Sequence, residues 1–251
     1  MRVVVTGGAS GIGLAIAQRL ASTGSDIFLC DVDAGSLDAV LERNPTWNGR
    51  AADVGEPSAV EVAIQEAEKA MGGIDLLVNN AGIAGPKMAA ERIPYEEFDS
   101  TIRINLNGMF YAAKNVIPGM KKRGAGCIIN ISTSSARVGL PFRTAYVVSK
   151  SGVLGLTLNL ARELGPFGIR CNCILPGAVD NPRGRNIVAA MAERQGKTIE
   201  AIEAEVLSFV SMRTWIDPKE VAAMVQFLAS DDCRHVTAQF IGVCGNVEWE
   251  G

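Results

Sequence analysis

The chain of 251 residues is predicted to adopt an α/β fold: one doubly wound domain, residues 1–251, with about seven parallel strands and helices on both faces. Three observations predict it. Short runs rich in β-branched residues alternate with longer segments of helical periodicity. No linker, low-complexity stretch or internal repeat interrupts this alternation. A glycine-rich turn separates the first strand-like run from the first helical segment.

The predicted strands are short and mostly apolar, and in chain order they are residues 2–6, 26–30, 49–53, 74–79, 127–132, 169–175 and 240–243. Amphipathic segments such as 11–23 and 57–72 connect them, and the latter repeats its apolar residues at helical spacing. The segment 181–215 is the exception. Two helical patterns, Arg185–Gln195 and Ile199–Ser211, follow one another there without a strand between them. They are interpreted either as a cover over a substrate site or as a plain surface pair.

Composition excludes several classes of protein. The chain is 48% hydrophobic and 20% charged with a net charge of −3 and no basic block, so no nucleic acid partner is expected. No uncharged apolar run is long enough to cross a bilayer, and the chain opens directly into a strand-like run, so neither a membrane span nor a signal peptide is expected. The scattered cysteines indicate reduced thiols in a cytoplasmic protein. His235 is the single histidine, which argues against a zinc site or a Ser-His-Asp triad.

The glycine-rich turn TGGASGIG, residues 6–13, lies between a strand and a helix. That arrangement brings backbone N–H groups and the positive end of a helix to a pyrophosphate. Gly7 would allow the tight turn, Gly11 would let the phosphates approach, and Gly13 would let the helix pack closely on the strand. Asp31 ends the next strand, where its carboxylate would accept hydrogen bonds from ribose hydroxyls. The GxxxGxG spacing differs from the GxGxxG of the best-known dinucleotide fold.

Further motifs follow this turn in order: NNAG at 79–82, RINLNG around Asn105, YVVSK at 146–150, and Pro176-Gly177 after a late strand. Together with the glycine turn, this series resembles the short-chain dehydrogenase/reductase family over essentially the whole chain. The resemblance implies a Rossmann-like sheet of about seven parallel strands. It also implies hydride transfer between a nicotinamide cofactor and an alcohol or carbonyl carbon.

Tyr146 and Lys150 are the predicted catalytic pair, because residues four apart share one face of a helix. A free tyrosine has a pKa of about 10, and a neighbouring ammonium favours the phenolate and lowers that value. Tyr146 would then act as the general base in oxidation and the general acid in reduction. The resemblance implies that Lys150 also holds the nicotinamide ribose. It further implies that Asn105 supports a proton-relay water beside this lysine.

A hydroxyl that polarises the substrate oxygen is also expected. The family usually has a serine 13 residues before the tyrosine, and Thr133 stands at that position. Threonine carries the same hydroxyl donor and acceptor with an extra methyl group. A shift of one residue in the loop would bring Ser132 or Ser134 into place instead, with Ser134 the next choice.

The cofactor is predicted to be NAD, because Asp31 would repel the 2′-phosphate of NADP and no Lys or Arg occurs between Gly24 and Glu42. NADP-preferring relatives often carry a basic residue where Ser10 stands. By resemblance, Ile12 belongs to the phosphate-binding turn and Asp53 and Val54 bracket the adenine. The same resemblance assigns further cofactor contacts to the adenosine side, at Asn80, Ala81 and Gly82, and to the nicotinamide pocket, at Pro176, Gly177 and Val179.

The substrate is less well indicated by the sequence. Its expected lining comes from residues 83–95, 134–144 and 181–215, which carry Arg137, Arg143, Arg183, Arg185 and Arg213. Guanidinium groups suit carboxylates, sulfonates or phosphates, so an anionic hydroxy or keto substrate is one interpretation. The alternatives are that the arginines are solvated surface charges, or that Met88, Phe142, Met191 and Trp215 bind an apolar alcohol. Trp249 and Glu250 at the end of the chain are interpreted as a cap on a neighbouring subunit's site, or as a frayed terminus.

The sequence thus predicts an NAD-dependent dehydrogenase of small secondary alcohols or ketones, such as a polyol, a sugar or a hydroxy acid. Two alternatives stand beside it: a 3-oxoacyl-type carbonyl reductase with the same fold, and a non-catalytic NAD-binding sensor. The resemblance implies a homotetramer, or failing that a dimer. The helical faces around 97–122 and 145–165 would pack between subunits.

Overall fold

The computed structural model describes residues 1–247. One sheet of seven parallel strands forms its centre, in the spatial order β3-β2-β1-β4-β5-β6-β7. The strands are β1 (Arg2–Thr6), β2 (Asp26–Asp31), β3 (Asn48–Ala51), β4 (Leu76–Asn79), β5 (Gly126–Ile131), β6 (Ile169–Pro176) and β7 (Phe240–Val243). The predicted doubly wound parallel fold is confirmed, and each predicted strand overlaps an observed one.

Helices connect the strands, and longer helices cover the two faces of the sheet. They are α1 (Gly11–Ala21), α2 (Ala34–Arg43), α3 (Pro57–Met71), α4 (Tyr95–Ile102), α5 (Gly108–Arg123), α6 (Ser135–Val138), α7 (Thr144–Leu164), α8 (Pro182–Gln195), α9 (Ile199–Ser208) and α10 (Pro218–Ala229). A π-helical turn, Arg103–Asn107, joins α4 to α5. None of the helices in residues 1–247 has the length and apolar character needed to span a bilayer.

The two hydrophobic cores follow from the two-residue period of a strand. Val3 and Val5 of β1 are fully buried against one helical layer, which includes α1 and α10. Val4, between them, is fully buried on the opposite face, against the layer that includes α3 and α5. Both faces are therefore apolar, as expected for a parallel sheet covered on two sides.

The chain reverses its direction of winding between β1 and β4, which are neighbours in the sheet although β2 and β3 separate them in sequence. In such sheets a crevice opens beyond the carboxyl ends of the strands at this point. The glycine turn follows β1 directly and NNAG spans the end of β4, so both motifs lie at the same crevice.

The two helices predicted in the late excursion are present as α8 and α9. They pack on each other through Val188 and Ala192 of α8 and Ile202 of α9, all of which are buried. Asn181 caps α8, because its side chain accepts a hydrogen bond from the Gly184 amide at 2.8 Å.

Candidate active site

The glycine turn after β1 depends on two positions that admit no side chain. Gly7 has a φ of +61°, and a Cβ there would lie 2.9 Å from the Cα of Ala81. A Cβ on Gly13 would lie 2.1 Å from the carbonyl oxygen of Gly7. Gly11 also has a positive φ, of +51°, but the nearest atom to its Cβ position is the Asn181 side chain at 3.8 Å. The turn is therefore closely packed at both ends and open at Gly11.

The NNAG segment is fastened to this turn by hydrogen bonds. The Asn80 side chain donates to the carbonyl oxygens of Thr6, at 3.1 Å, and Gly7, at 2.8 Å. The backbone amides of Asn80 and Ala81 both donate to the Thr6 hydroxyl. These hydrogen bonds fix the position of the carboxyl end of β4 relative to that of β1.

A cavity of about 370 Å³ lies between these two strand ends. Ten of the residues predicted to bind the cofactor line it: Gly7, Ser10, Gly11, Ile12, Asp31, Asp53, Val54, Asn80, Ala81 and Gly82. Seven other lining residues were not assigned to the cofactor from the sequence: Val32, Ala52, Ile83, Ile104, Asn181, Pro182 and Arg183. The pair Asn181-Pro182 is a local signal for the start of α8, but no local signal places that start at this cavity.

The carboxylate of Asp31 is fixed at the edge of the cavity by the backbone. One of its oxygens accepts a hydrogen bond from the Ala9 amide at 2.9 Å, and the other accepts one from the Asp33 amide at 3.1 Å. These amides hold the negative charge in place without neutralising it. Asp53 lines the same cavity and lies 3.4 Å from the Arg103 guanidinium.

Lys150 is buried where β5 ends. Its side chain is held between α7 and β5, and its Nζ donates a hydrogen bond of 2.8 Å to the Ile131 carbonyl. Burial lowers the pKa of Lys150 to about 8. A Cβ on Gly82 would lie 3.2 Å from this Nζ, so the lysine borders the cavity at Gly82.

The half-buried Tyr146 lies one helical turn before Lys150 on α7. Burial raises the pKa of its phenol. The positive charge of Arg183, the nearby Thr133 hydroxyl and the charge of Arg143 each lower it by a smaller amount. The prediction that Lys150 lowers this pKa is wrong: the pKa is raised overall, and the groups that oppose the rise are the two arginines and Thr133.

The three hydroxyl candidates have different surroundings. Thr133 lies close enough to the Tyr146 phenol for its hydroxyl to lower the phenol pKa. Ser132 donates instead to the Lys150 backbone carbonyl at 2.8 Å, which ties β5 to α7. Ser134 precedes α6, and its amide donates to the Pro176 carbonyl at 3.0 Å. Thr133 is thus the hydroxyl in contact with the tyrosine.

Asn105 is fully buried in the π-helical turn before α5. Its side-chain oxygen accepts a hydrogen bond from the Ile83 amide at 2.7 Å, and its side-chain nitrogen donates to the Ile83 carbonyl and the Ser149 hydroxyl, each at 3.0 Å. Ser149 in turn donates to the Tyr146 carbonyl. The amide therefore joins the loop after β4 to the start of α7, and both of its N–H groups are already in use.

The predicted nicotinamide residues lie at the end of β6, outside the lining of the cavity. Val179 is buried in the core and pairs with Ile216 in an isolated bridge. Gly177 packs on Cys244, because a Cβ there would lie 2.8 Å from the Cys244 Cα. Pro176 is the one whose carbonyl meets the loop that carries Thr133 and Ser134.

Three of the five arginines considered for the substrate lining have partners away from Tyr146, which favours the surface-charge alternative for these three. Arg137 donates to the Phe240 carbonyl at 2.7 Å. Arg185 pairs with Asp180 and Glu203 and stacks over Trp215. Arg213 donates to carbonyls at the end of α9.

Arg143 and Arg183 remain beside the predicted catalytic residues. Arg143 donates to the carbonyls of Ala84, at 3.3 Å, and Gly85, at 3.1 Å. Arg183 donates to the Gly82 carbonyl at 3.1 Å. The residues Trp249 and Glu250, for which a capping role was considered, lie outside the described residues.

Comparison with known proteins supports the assignment to a family. Residues 7–245 match a family model described as enoyl-(acyl carrier protein) reductase. Levodione reductase of Leifsonia aquatica is 34% identical over 249 residues, which covers 97% of this chain and 92% of that protein.

Two solved structures share the fold over 97% of this chain. A variant of actinorhodin polyketide ketoreductase with NADPH has a TM-score of 0.92 and 32% identity, with 95% of that chain covered. An NAD⁺-bound xylitol dehydrogenase has a TM-score of 0.91 and 29% identity, with 97% of that chain covered. On the matched family model, the identity over nearly the full length and the shared sheet, the chain belongs to the short-chain dehydrogenase/reductase family.

Proposed function

We propose that the protein is an NAD-dependent oxidoreductase that transfers a hydride between the nicotinamide and a small secondary alcohol or ketone. The contact between Thr133 and Tyr146, with Lys150 one helical turn further on, carries this proposal. Gly82 connects it to the cofactor cavity, because that residue lines the cavity and borders the Lys150 ammonium. A group bound along the cavity would therefore end beside the tyrosine.

When bound, the nicotinamide supplies the hydride acceptor for oxidation or the hydride donor for reduction. Tyr146 takes the proton from the substrate hydroxyl or returns it to the carbonyl oxygen. Thr133 orients the substrate oxygen by a hydrogen bond and thereby stabilises the charge that develops on it. Lys150 would hold the nicotinamide ribose through its ammonium group, and Arg183, Arg143 and Thr133 favour the phenolate of Tyr146. Asn105 positions the Tyr146 turn through Ser149.

The cofactor residues fit a dinucleotide at this cavity. Gly7 and Gly11 leave the backbone accessible for phosphates at the start of α1, where the helix dipole favours negative charge. Asp31 accepts hydrogen bonds from the ribose hydroxyls and repels a 2′-phosphate, which favours NAD over NADP. Asp53 and Val54, which line the cavity, would contact the adenine, and Pro176, Gly177 and Val179, beyond that lining, would shape the nicotinamide end.

A 3-oxoacyl-type carbonyl reductase is the second candidate, because the similar ketoreductase was solved with NADPH. Asp31 disfavours it, since no Lys or Arg occurs between Gly24 and Glu42 to balance an added phosphate. A non-catalytic NAD sensor is the third candidate. It would have no need for the Thr133–Tyr146 contact.

The assembly and the surroundings of the site belong to the same proposal. A single domain carries both cofactor and substrate, and residues 181–215 cover the substrate, since Asn181, Pro182 and Arg183 line the cavity. A homotetramer, or a dimer, forms through α5 and α7, which leave Phe110 and Leu158 exposed. We place the protein in the cytoplasm.

The test measures the reduction of NAD and of NADP by the purified protein across a panel of secondary alcohols, with Tyr146→Phe beside it. We expect NAD-dependent turnover that falls about 100-fold or more in Tyr146→Phe, while NADH binding persists. Tyr111→Phe is the matched control, because Tyr111 lies on α5, outside the cavity lining and outside the segments expected to line the substrate. Bound NADH with no turnover of any alcohol or ketone would favour the sensor, and a preference for NADPH would favour the carbonyl reductase.

A further inference from the structure

The surroundings of Tyr146 contain an excess of positive charge. Arg143 lies three residues before it at the start of α7, and Arg183 begins α8. Two further cations lie near these arginines: Lys87, in the loop after β4, and Arg194, near the end of α8. Burial lowers the pKa of Lys87 and of Arg143, and the charge of Arg194 lowers both further.

None of these four cations has a carboxylate within ion-pair distance in residues 1–247. Arg185 shows the contrast on the same helix α8, since it lies within 2.8 Å of both Asp180 and Glu203. A group of cations left without counter-charges beside a site is costly to maintain, so it indicates a charge supplied from outside the chain.

The two arginines are also held in position. Arg143 and Arg183 donate to carbonyls of one short loop, at Gly82, Ala84 and Gly85, but approach it from two different helices. Neutral carbonyls fix a guanidinium without cancelling its charge. Each guanidinium has five N–H groups and uses only one nitrogen in these bonds, so donors remain for a ligand.

We propose that Arg143 and Arg183 bind an anionic group of the substrate, with Lys87 and Arg194 adding to the attraction. The substrate is then a secondary alcohol or ketone that carries a carboxylate, sulfonate or phosphate. This inference rests on the proposed function, because it assumes that the alcohol carbon is held at Tyr146. Planar guanidinium groups suit such oxyanions by paired hydrogen bonds.

The test measures binding rather than turnover, so that it does not depend on finding the natural substrate. Pentanoate and pentanamide are titrated by calorimetry into the NADH-saturated protein, in a buffer without phosphate or sulfate. The two probes have nearly the same shape and differ in charge. We expect pentanoate to bind about tenfold more tightly or better, as charge-assisted hydrogen bonds imply.

Arg143→Gln and Arg183→Gln should each remove most of this preference. Arg137→Gln should keep it, because it loses the same charge while Arg137 is bonded to Phe240 on β7. Lys87→Gln combined with Arg194→Gln should reduce the preference by a smaller factor. Both of these side chains are exposed, so this variant tests the charge without disturbing the loop.

Equal affinities for the two probes, or a preference unchanged in both Arg143→Gln and Arg183→Gln, would overturn the proposal. Arg183 also lines the cofactor cavity, so NADH affinity is measured for every variant. Loss of NADH affinity in Arg183→Gln with the pentanoate preference intact would remove Arg183 from the anion site. A wild-type protein that does not bind NADH would instead count against the proposed function.

Discussion

The Nζ atom of Lys150 lies 2.8 Å from the carbonyl oxygen of Ile131 and donates a hydrogen bond to it. Only 4% of this lysine is exposed to solvent, and its hydrogen-bond partner is a neutral group. Burial therefore lowers its pKa to about 8, so the ammonium loses its proton only slightly above neutral pH. Burying the Lys150 ammonium costs free energy of folding, which is consistent with a requirement for this charge at the site.

Replacing Lys150 separates its effect on catalysis from its effect on the stability of the fold. Lys150→Met should lower kcat/KM about 100-fold or more, since the nicotinamide ribose loses the ammonium proposed to position it. The unfolded chain holds the Lys150 proton more tightly, up to pH 10.5, than the folded chain does, up to about pH 8. Burying the charge therefore costs stability below about pH 8, and the cost is relieved as the pH rises towards 10.5.

Thermal unfolding checks this linkage. Lys150→Met should unfold at the wild-type temperature or above it near pH 7, and its advantage should shrink towards pH 10. Lys122→Met on the exposed end of α5 is the matched control, with unchanged activity and no pH-dependent difference. A large loss of stability near neutral pH in Lys150→Met would contradict the interpretation.

The position of Gly82 predicts that catalysis is sensitive to a side chain at this residue. A Cβ there would lie 3.0 Å from the Asn105 side-chain oxygen and 3.2 Å from the Lys150 Nζ, so the lysine would have to move. Gly82→Ala should lower kcat about tenfold or more, because a small misplacement of a catalytic group is costly. Gly35→Ala in α2 is the control, since the nearest atom to its Cβ would be 3.6 Å away. Full activity in Gly82→Ala would contradict the placement of Lys150.

The hydroxyl beside Tyr146 can be identified by three variants. Thr133→Ala should lower kcat about 100-fold, the usual effect of losing a donor to a developing oxyanion. Thr133→Ser should keep most of the activity, because the hydroxyl remains. Ser134→Ala should have little effect, since the contact with Tyr146 is made by Thr133. Steady-state kinetics decide the matter, and a larger loss in Ser134→Ala would assign the role to Ser134.

Asp31 is predicted to determine the choice of cofactor. Asp31→Asn removes the charge but keeps an oxygen that can accept one of the two backbone hydrogen bonds. The ratio of kcat/KM for NAD to that for NADP should fall about tenfold or more, because the repulsion of the 2′-phosphate is lost. Asp38→Asn in α2 makes the same change in net charge and should leave the ratio unchanged. Equal ratios in the two variants would show that net charge alone matters.

The pKa of Tyr146 predicts the pH dependence of oxidation. Oxidation needs the phenolate, and burial raises the phenol pKa despite the opposing positive charges. The rate should therefore continue to rise beyond the pH at which a free tyrosine ionises. Arg183 lowers that pKa by its charge. Arg183→Gln should therefore move the rising limb of the kcat profile to higher pH, whereas Arg137→Gln should leave it in place. A shift to lower pH in Arg183→Gln would contradict the assignment.

The fold could be predicted closely because its signals are local. The alternation of β-branched runs with amphipathic helices reflects a sheet whose strands are buried on both faces. Helical crossovers between parallel strands are right-handed, so few topologies are available to such a chain. Gly7 and Gly13 could be identified because a glycine-rich turn between a strand and a helix is a local sequence pattern. The structure gives the reason for the pattern, since a Cβ at Gly7 would meet Ala81 and one at Gly13 would meet Gly7. The excursion 181–215 was recognised as two helices from periodicity alone.

The sequence by itself determined the family, the parallel sheet and the order of the motifs along the chain. Tertiary structure decided which side chains meet. It placed Thr133, rather than Ser132 or Ser134, against Tyr146, and it engaged Arg185 with carboxylates while leaving Arg143 without one. The physical reason is that periodicity reports which face of an element is buried, whereas hydrogen bonds and ion pairs depend on distances between residues far apart in the chain.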